Sequence, residues 1–333
     1  MADITILGSG GFGLALAYMC ANMEHKVTVW SAFQDEIDAI KRTGELRSKL
    51  PGVIIPQNVK LTSDISCVAD SEIIIIGIPT KFVCSVCEQA KPYINENAII
   101  VSTSKGFENG TLRRMSEVVS AVLPNPVVVL SGPSHAEEIG RGMPTTIVAA
   151  CDDIEHARYV QKELSNNTFR IYTNSDVVGC EIGGSMKNVI ALACGVLDGM
   201  GLGDNTKAAL ITRGLAEIKR LGVVLGADPE TFSGLTGVGD LIVTCTSMHS
   251  RNRRAGILIG QGVNADEAVK RVGTVEGYYC TQTTYELAKK LGVEVPITEQ
   301  LYNVLFNNQH PSEALKNLMG RESKHEAEED LYK

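Results

Sequence analysis

The sequence predicts an α/β fold: an N-terminal doubly wound, mostly parallel sheet followed by a C-terminal all-α domain. Three observations carry that prediction. Short apolar runs recur through the first half, separated by segments of helical pattern. The first of them leads directly into a glycine-rich turn, Gly8-Ser-Gly-Gly-Phe-Gly13. From Thr206 onward the pattern is helical nearly to the end, with no further convincing sheet. Domains are therefore expected at 1–178 and 179–325, with a charged tail at 326–333.

Asp3 to Leu7 reads as a buried strand, Leu14 to Met23 as an apolar helix and Val27 to Trp30 as a second strand. Apolar runs at 73–76, 98–101, 127–130, 146–149 and 169–172 read as further strands covered on both faces, as central parallel strands are. Strand, glycine turn, helix and strand in succession form the Rossmann-like context for a dinucleotide. Gly8 would make the turn, Gly10 would admit a pyrophosphate and Gly13 would allow close helix–strand packing. Free N–H groups at the helix start would face the phosphates. The cofactor is then NAD or NADP, a choice read at the end of the second strand. There Trp30-Ser31-Ala32-Phe33 offers neither an acid nor an arginine, and Asp35 and Glu36 read as the next helix start, so the preference stays open.

Three strands run into unusual loops: Gly77 to Lys81, Ser102 to Gly106, and Ser131 to Ala136. Ligands of open α/β sheets bind outside the carboxyl ends of strands, which draws attention to Lys105 and to His135 as a candidate base.

In the second half, helical runs lie at 207–225, 253–259, 265–272, 282–291 and 299–306. The stretch 179–199 is small and apolar around a single lysine, Lys187, followed by Asn188. A buried ammonium is costly unless paired, and lysine is a usable proton donor or acceptor when its surroundings shift it. Asp240 stands between the glycine turn Leu235–Gly239 and an apolar run. The segment Ser247 to Arg254 gathers three arginines with hydroxyl and amide groups, a donor set suited to a phosphate dianion.

Composition narrows the classes. Over 333 residues the net charge is −8, with 44% apolar and 21% charged residues. That balance argues against a nucleic-acid or anionic-membrane surface. The N-terminus shows no signal-peptide pattern, and no uninterrupted apolar run approaches the roughly 18 residues of a membrane span. Nine scattered cysteines are expected as free thiols in a reducing cytoplasm. Cys84 and Cys87 form a lone CxxC without a partner pair and read as packing, so no metal site is expected.

Taken with their order and spacing, the motifs GSGGFG at 8–13, VSTSKG at 101–106, SGPSHAEE at 131–138, GCEIGGSMKNVIA at 179–191 and GLTGVGDLIVTCTSMHSRNRRAG at 234–256 resemble the bacterial-type NAD(P)-dependent sn-glycerol-3-phosphate dehydrogenases over essentially the whole chain. The resemblance implies reversible hydride transfer between NAD(P)H and dihydroxyacetone phosphate, giving sn-glycerol 3-phosphate for glycerophospholipid synthesis, and a cytoplasmic homodimer. It implies Lys187 as the catalytic acid/base, and substrate contacts from Lys105, Gly132, Ser134, Lys187, Asp240, Ser250, Arg251 and Asn252. Chemistry adds Asn188 to that set. Beside Gly8, Gly10 and Gly13, it implicates Gly11, Phe12, Ser31, Ala32, Lys49, Lys105, Ala136, Arg251, Val275 and Glu276 in cofactor binding. Two positions depart from the usual pattern: Gly11 replaces a common serine, and Ser31-Ala32 lacks the basic residue often found there.

Ketone reduction needs a hydride donor, a proton for the forming alkoxide and groups that fix the carbonyl. Lys187 is expected to give the proton, Asp240 to orient its ammonium, and Arg251 and Asn252 to clamp the phosphate. Two alternatives share these features: another two-domain hydroxyacid or keto-acid reductase, and a non-catalytic cofactor-sensing module.

Overall fold

In the computed structural model, which describes residues 1–323, 325 and 326, the apolar runs form one eight-stranded sheet. Its strands are β1 (Asp3–Leu7), β2 (Lys26–Trp30), β3 (Lys60–Thr62), β4 (Ile73–Ile76), β5 (Ile99–Ser102), β6 (Val127–Ser131), β7 (Thr145–Ala150) and β8 (Phe169–Asn174). They are ordered β3-β2-β1-β4-β5-β6-β7-β8. The first six run parallel in the dinucleotide-binding order 3-2-1-4-5-6. β7 pairs antiparallel with β6 and carries β8 parallel to itself. The edge strand β3 and the reversal at β7 go beyond the sequence expectation.

Alternation explains why the strands read as continuous apolar runs. Ile73 and Ile75 enter one core with Ile4, Ile6, Val27 and Val29, while Ile74 and Ile76 enter another with Leu7, Trp30 and Ile100. The first core is roofed by α1 (Gly11–Asn22), and α2 (Gln34–Thr43) adds Ile40 to it. The second is roofed by α3 (Val83–Ala90) and α4 (Met115–Ser120). The short α5 (Ala136–Ile139) and α6 (Ile154–Leu164) return to the first face. Cys87 packs in the second core, and burial pushes its thiol up to about 12, the opposite of an activated thiolate. All nine cysteines are free.

The chain divides into two compact units, Met1–Glu108 with Arg113–Val177, and the chain from Val178 onward with Asn109–Leu112. The second is built from α7 (Val177–Gly199), α8 (Asp204–Val224), α9 (Asp240–Thr246), α10 (Arg251–Gly260), α11 (Ala265–Val272), α12 (Glu276–Leu291), α13 (Pro296–Phe306) and α14 (Pro311–Met319). Helix α7 is long and apolar enough to cross a membrane, yet 94% of its apolar window is buried in the fold, as befits a central core helix. Of the tail expected at 326–333, only Glu326 lies within the described residues.

Glycine decides how closely α10 meets α7. A Cβ on Gly195 would lie 2.1 Å from the Arg253 carbonyl oxygen, and one on Gly256 would lie 2.1 Å from that of Leu192. Gly199 and Gly260 repeat the arrangement one turn further along. A glycine every fourth residue on both helices therefore lets backbone touch backbone. A Cβ on Gly277 of α12 would likewise lie 2.4 Å from the Asn188 carbonyl oxygen. Elsewhere in this unit Glu217 of α8 is 1% exposed. It accepts from the Ile297 N–H, the Thr298 N–H at 3.2 Å and the Thr298 hydroxyl at 3.1 Å. Burial raises its carboxyl from the ordinary 4.5 to about 7, against those hydrogen bonds and Arg220.

Candidate active site

The glycine loop is preorganised in the first unit. Gly8 has φ +128°, and a Cβ there would meet the Gly77 carbonyl oxygen at 2.6 Å, so only glycine fits. A Cβ on Gly13 would lie 2.4 Å from the Gly8 oxygen, which makes that position a packing requirement. Gly10 differs: its Cβ would face open space but for the Gly77 oxygen at 3.7 Å. The loop thus leaves room for a ligand where the pyrophosphate is expected. The first intrahelical bond of α1 runs from Leu14 N to Gly10 O at 2.9 Å, leaving the N–H groups of Gly11, Phe12 and Gly13 for an anion. The residues present fit a dinucleotide.

Gly11 explains its own departure from serine. A Cβ there would lie 2.7 Å from the Lys49 carbonyl oxygen and 3.7 Å from Ala136 Cβ, so this chain has closed that side of the loop with backbone. Lys49 and Ala136 therefore flank the glycine turn. At the end of β2, Ser31 is buried and Ala32 exposed. Lys105 Nζ donates to the Gly132 carbonyl at 3.3 Å, and Ser134 Oγ donates to the same oxygen at 2.9 Å. The loops after β5 and β6 converge there, with Gly132 at φ +126° packed on Ile147. His135 takes the N-cap position of α5.

In the second unit Lys187 sits midway along α7 and is 7% exposed. Its Nζ donates to Asp240 Oδ1 and, at 3.0 Å, to Thr244 Oγ1. Thr244 in turn donates to the Asp240 backbone oxygen at 2.6 Å. Asp240 and Thr244 stand four residues apart on α9 and therefore share one face. The π-turn Leu235–Gly239 swings into this helix, and a Cβ on Gly183 of α7 would strike the Thr236 oxygen at 2.5 Å. Close approach at Gly183 thus brings the start of α9 against the turn of α7 preceding Lys187. Asp240, expected among the substrate contacts, is 0% exposed and is engaged by the Lys187 ammonium. Thr244 was missed from the sequence, where only its i,i+4 spacing from Asp240 marks it.

A ladder of amides fixes the neighbouring positions. The Gly277 N–H donates to Asn252 Oδ1 at 2.8 Å, Asn252 Nδ2 donates to Asn188 Oδ1 at 2.9 Å, and Asn188 Nδ2 donates to Glu276 Oε2 at 3.3 Å. Because a backbone N–H can only donate, the orientation of both amides is set from Gly277 upward. Each Nδ2 has a second hydrogen for a ligand. Of the pair expected at the cofactor, Val275 is 0% exposed and Glu276 is half-buried. Ser250 caps α10 by accepting from the Arg253 N–H at 3.2 Å. Two of the three arginines differ in their contacts. Arg253 is bound to Asp198 at 2.7 Å and to the Thr246 oxygen at 2.6 Å. Arg251 is exposed and has no ion pair or hydrogen bond among the described residues, as an anion-binding guanidinium requires.

Comparison with known proteins agrees with this geometry. Residues 3–157 match the family model of the NAD-dependent glycerol-3-phosphate dehydrogenase N-terminus, and residues 176–316 match that of its C-terminus. The chain belongs to the NAD-dependent glycerol-3-phosphate dehydrogenase family. The NAD(P)+-type glycerol-3-phosphate dehydrogenase of Clostridium acetobutylicum is 51% identical over 98% of this chain and 99% of its own. That of Bacillus subtilis is 48% identical over 99% and 97%. Among solved structures, the glycerol-3-phosphate dehydrogenase of Coxiella burnetii superimposes with a TM-score of 0.92 at 37% identity, covering 96% of this chain and 99% of that one. A D-mandelate dehydrogenase at 13% identity and TM-score 0.64 shares the fold alone. Membership in the glycerol-3-phosphate dehydrogenase family favours the main expectation over the keto-acid reductase alternative.

Proposed function

We propose that this chain interconverts dihydroxyacetone phosphate and sn-glycerol 3-phosphate, using NAD or NADP, as a cytoplasmic homodimer that supplies glycerophospholipid synthesis. The observation that carries the reaction is the enclosed ammonium of Lys187, held by Asp240 and Thr244, on a chain whose relatives are glycerol-3-phosphate dehydrogenases. A reduced nicotinamide, when bound, would supply the hydride that ketone reduction needs. Lys187 Nζ gives a proton to the carbonyl oxygen as the alkoxide forms and takes it back in oxidation. Asp240 and Thr244 aim the Lys187 ammonium. Asn188, fixed from Gly277 through Asn252, turns an amide hydrogen to the substrate oxygens, and Arg251 grips the phosphate with help from Asn252. Binding energy from the phosphate then orients a carbon some bonds away. The dimer rests on the family resemblance; nine free thiols accord with a reducing compartment.

The test is an absorbance assay of reduced-nicotinamide oxidation with dihydroxyacetone phosphate against small keto acids. Turnover of the phosphorylated ketone is expected to exceed that of any keto acid. The reverse order, or cofactor binding without turnover, overturns the proposal.

A further inference from the structure

The first turn of α2 carries an acid that the sequence left unassigned. Glu36 folds back to the end of β2, where its Oε2 accepts from Ser9 Oγ of the glycine loop and, at 3.1 Å, from Ser31 Oγ. The two hydroxyls also lie 2.7 Å apart, and Ser31 Oγ accepts from the Phe33 N–H at 3.2 Å. Ser9 and Ser31 are buried, so these bonds pin the carboxylate between the glycine turn and the second strand. Oε2 is satisfied by them. Oε1 accepts no hydrogen bond among the described residues and faces only Lys49 Nζ, at 3.9 Å, from a side chain 19% exposed.

We propose that Glu36 reads the 2′ position of the adenosine ribose and makes this chain prefer NAD over NADP. The inference rests on the nicotinamide-dependent reading above and deepens it. In a dinucleotide-binding sheet the adenosine ribose lies at the end of the second strand, and an acid there accepts from its hydroxyls. Glu36 reaches that place from the following helix rather than from the strand. An ionised carboxylate can only accept, so Oε1 suits a 2′-hydroxyl and opposes a 2′-phosphate. The opposing basic group is missing from the strand end, where Ser31 is buried in the cluster and Ala32 is exposed and small. Among the described residues Lys49 is the cation paired with Glu36, and that ion pair is long.

The chain has a single tryptophan, Trp30, at the end of β2, which makes its fluorescence a reporter of cofactor binding without turnover. Titration of the full chain with NADH and with NADPH is expected to show NADH bound at least about tenfold more tightly, since like charges juxtaposed are strongly disfavoured. In Glu36→Gln the ratio should collapse as NADH weakens and NADPH strengthens. Ala32→Arg leaves the serine–glutamate cluster intact and should raise NADPH affinity alone. Equal affinities in the natural chain, or an equal loss of both cofactors in Glu36→Gln, would show that Glu36 merely braces the loop. Tight NADH binding without reduction of dihydroxyacetone phosphate would instead overturn the proposed reaction and leave this inference standing.

Discussion

Glycine shapes both units, to opposite ends. At Gly10 the missing side chain faces open space, whereas at Gly256 it would collide with the Leu192 carbonyl oxygen at 2.1 Å. In the first unit glycine keeps protein away from a place a ligand needs. In the second it draws α10 and α7 together until no space is left, and the polar groups carried by α7, α9, α10 and α12 meet around Lys187 and Asn188 as a result. The cofactor loop is made by withholding atoms and the Lys187 cluster by packing them. Disturbing them should therefore have separable consequences.

The largest expected effect is chemical. Removing a general acid typically costs about 10²–10⁴-fold in rate, or about 3–5 kcal/mol on the barrier. Lys187→Met should lower kcat by that factor, but it also strands the Asp240 carboxylate in the interior, where breaking a pair is itself destabilising. Lys187→Arg keeps a cation against Asp240, yet a guanidinium does not surrender its proton. The same loss of kcat in Lys187→Arg, with NADH affinity retained, assigns the loss to proton transfer. Near-normal turnover in either variant contradicts the role.

Next comes packing. Gly256→Ala adds one methyl group where backbone already sits, so α10 must move away from α7. Overpacking of this kind should cost about 3 kcal/mol, seen as a lower midpoint in urea unfolding. The shift also pulls on Asn252, so kcat should fall further than cofactor affinity. A variant as stable as the natural chain shows that the helices have slack.

How far this was legible differs between the units for the same reason. Strands covered on both faces announce themselves as apolar runs, and the glycine turn is local, so the sheet and the cofactor loop could be read from spacing. Lys60-Leu-Thr62 is a short, partly exposed edge and carries no such pattern. The reversal at β7 is a choice of direction that composition does not encode. Helix α12 begins at Glu276, ahead of the run read at 282–291, because Gly277 and the threonines after it are weak helix formers held by burial. The fourfold spacing of Gly195 with Gly199 and of Gly256 with Gly260 acquires meaning only when the two helices face each other. Asp240 is visible in the sequence as an isolated acid, but its complete enclosure against Lys187 needs the third dimension. Glu36 was read as a helix start, which it is; its carboxylate turns back to the strand it follows.

A third test asks whether the packed unit also carries the pH dependence of stability. Glu217 holds its proton in the fold up to about pH 7 and loses it near 4.5 when unfolded. Between those values the native state binds the extra proton, so stability falls as pH rises, by on the order of 3 kcal/mol in all. Below the lower value and above the higher one this group adds no slope. Urea unfolding across that range should show the decline. Glu217→Gln, less stable at the acid end because an amide meets the Ile297 N–H, should flatten it. An equally steep decline in the variant assigns the slope to other groups.

The smallest effect, and the one that defines the comparison, belongs to Gly10→Ala. Gly10 has φ −65° and ψ 163°, a conformation alanine adopts freely, and its Cβ would meet no atom closer than 3.7 Å. Removing a glycine at such a position restricts the unfolded chain and stabilises by about 0.4–1 kcal/mol. The midpoint of unfolding should therefore stay level or rise slightly. The methyl group would nonetheless stand where a pyrophosphate must approach the helix N-terminus, and NADH affinity should weaken on the order of tenfold, about 1.4 kcal/mol. Stability kept and cofactor affinity lost is the reverse of what Gly256→Ala should give. If Gly10→Ala also unfolds early, the open space at the loop is a packing feature and the distinction between the two glycines fails.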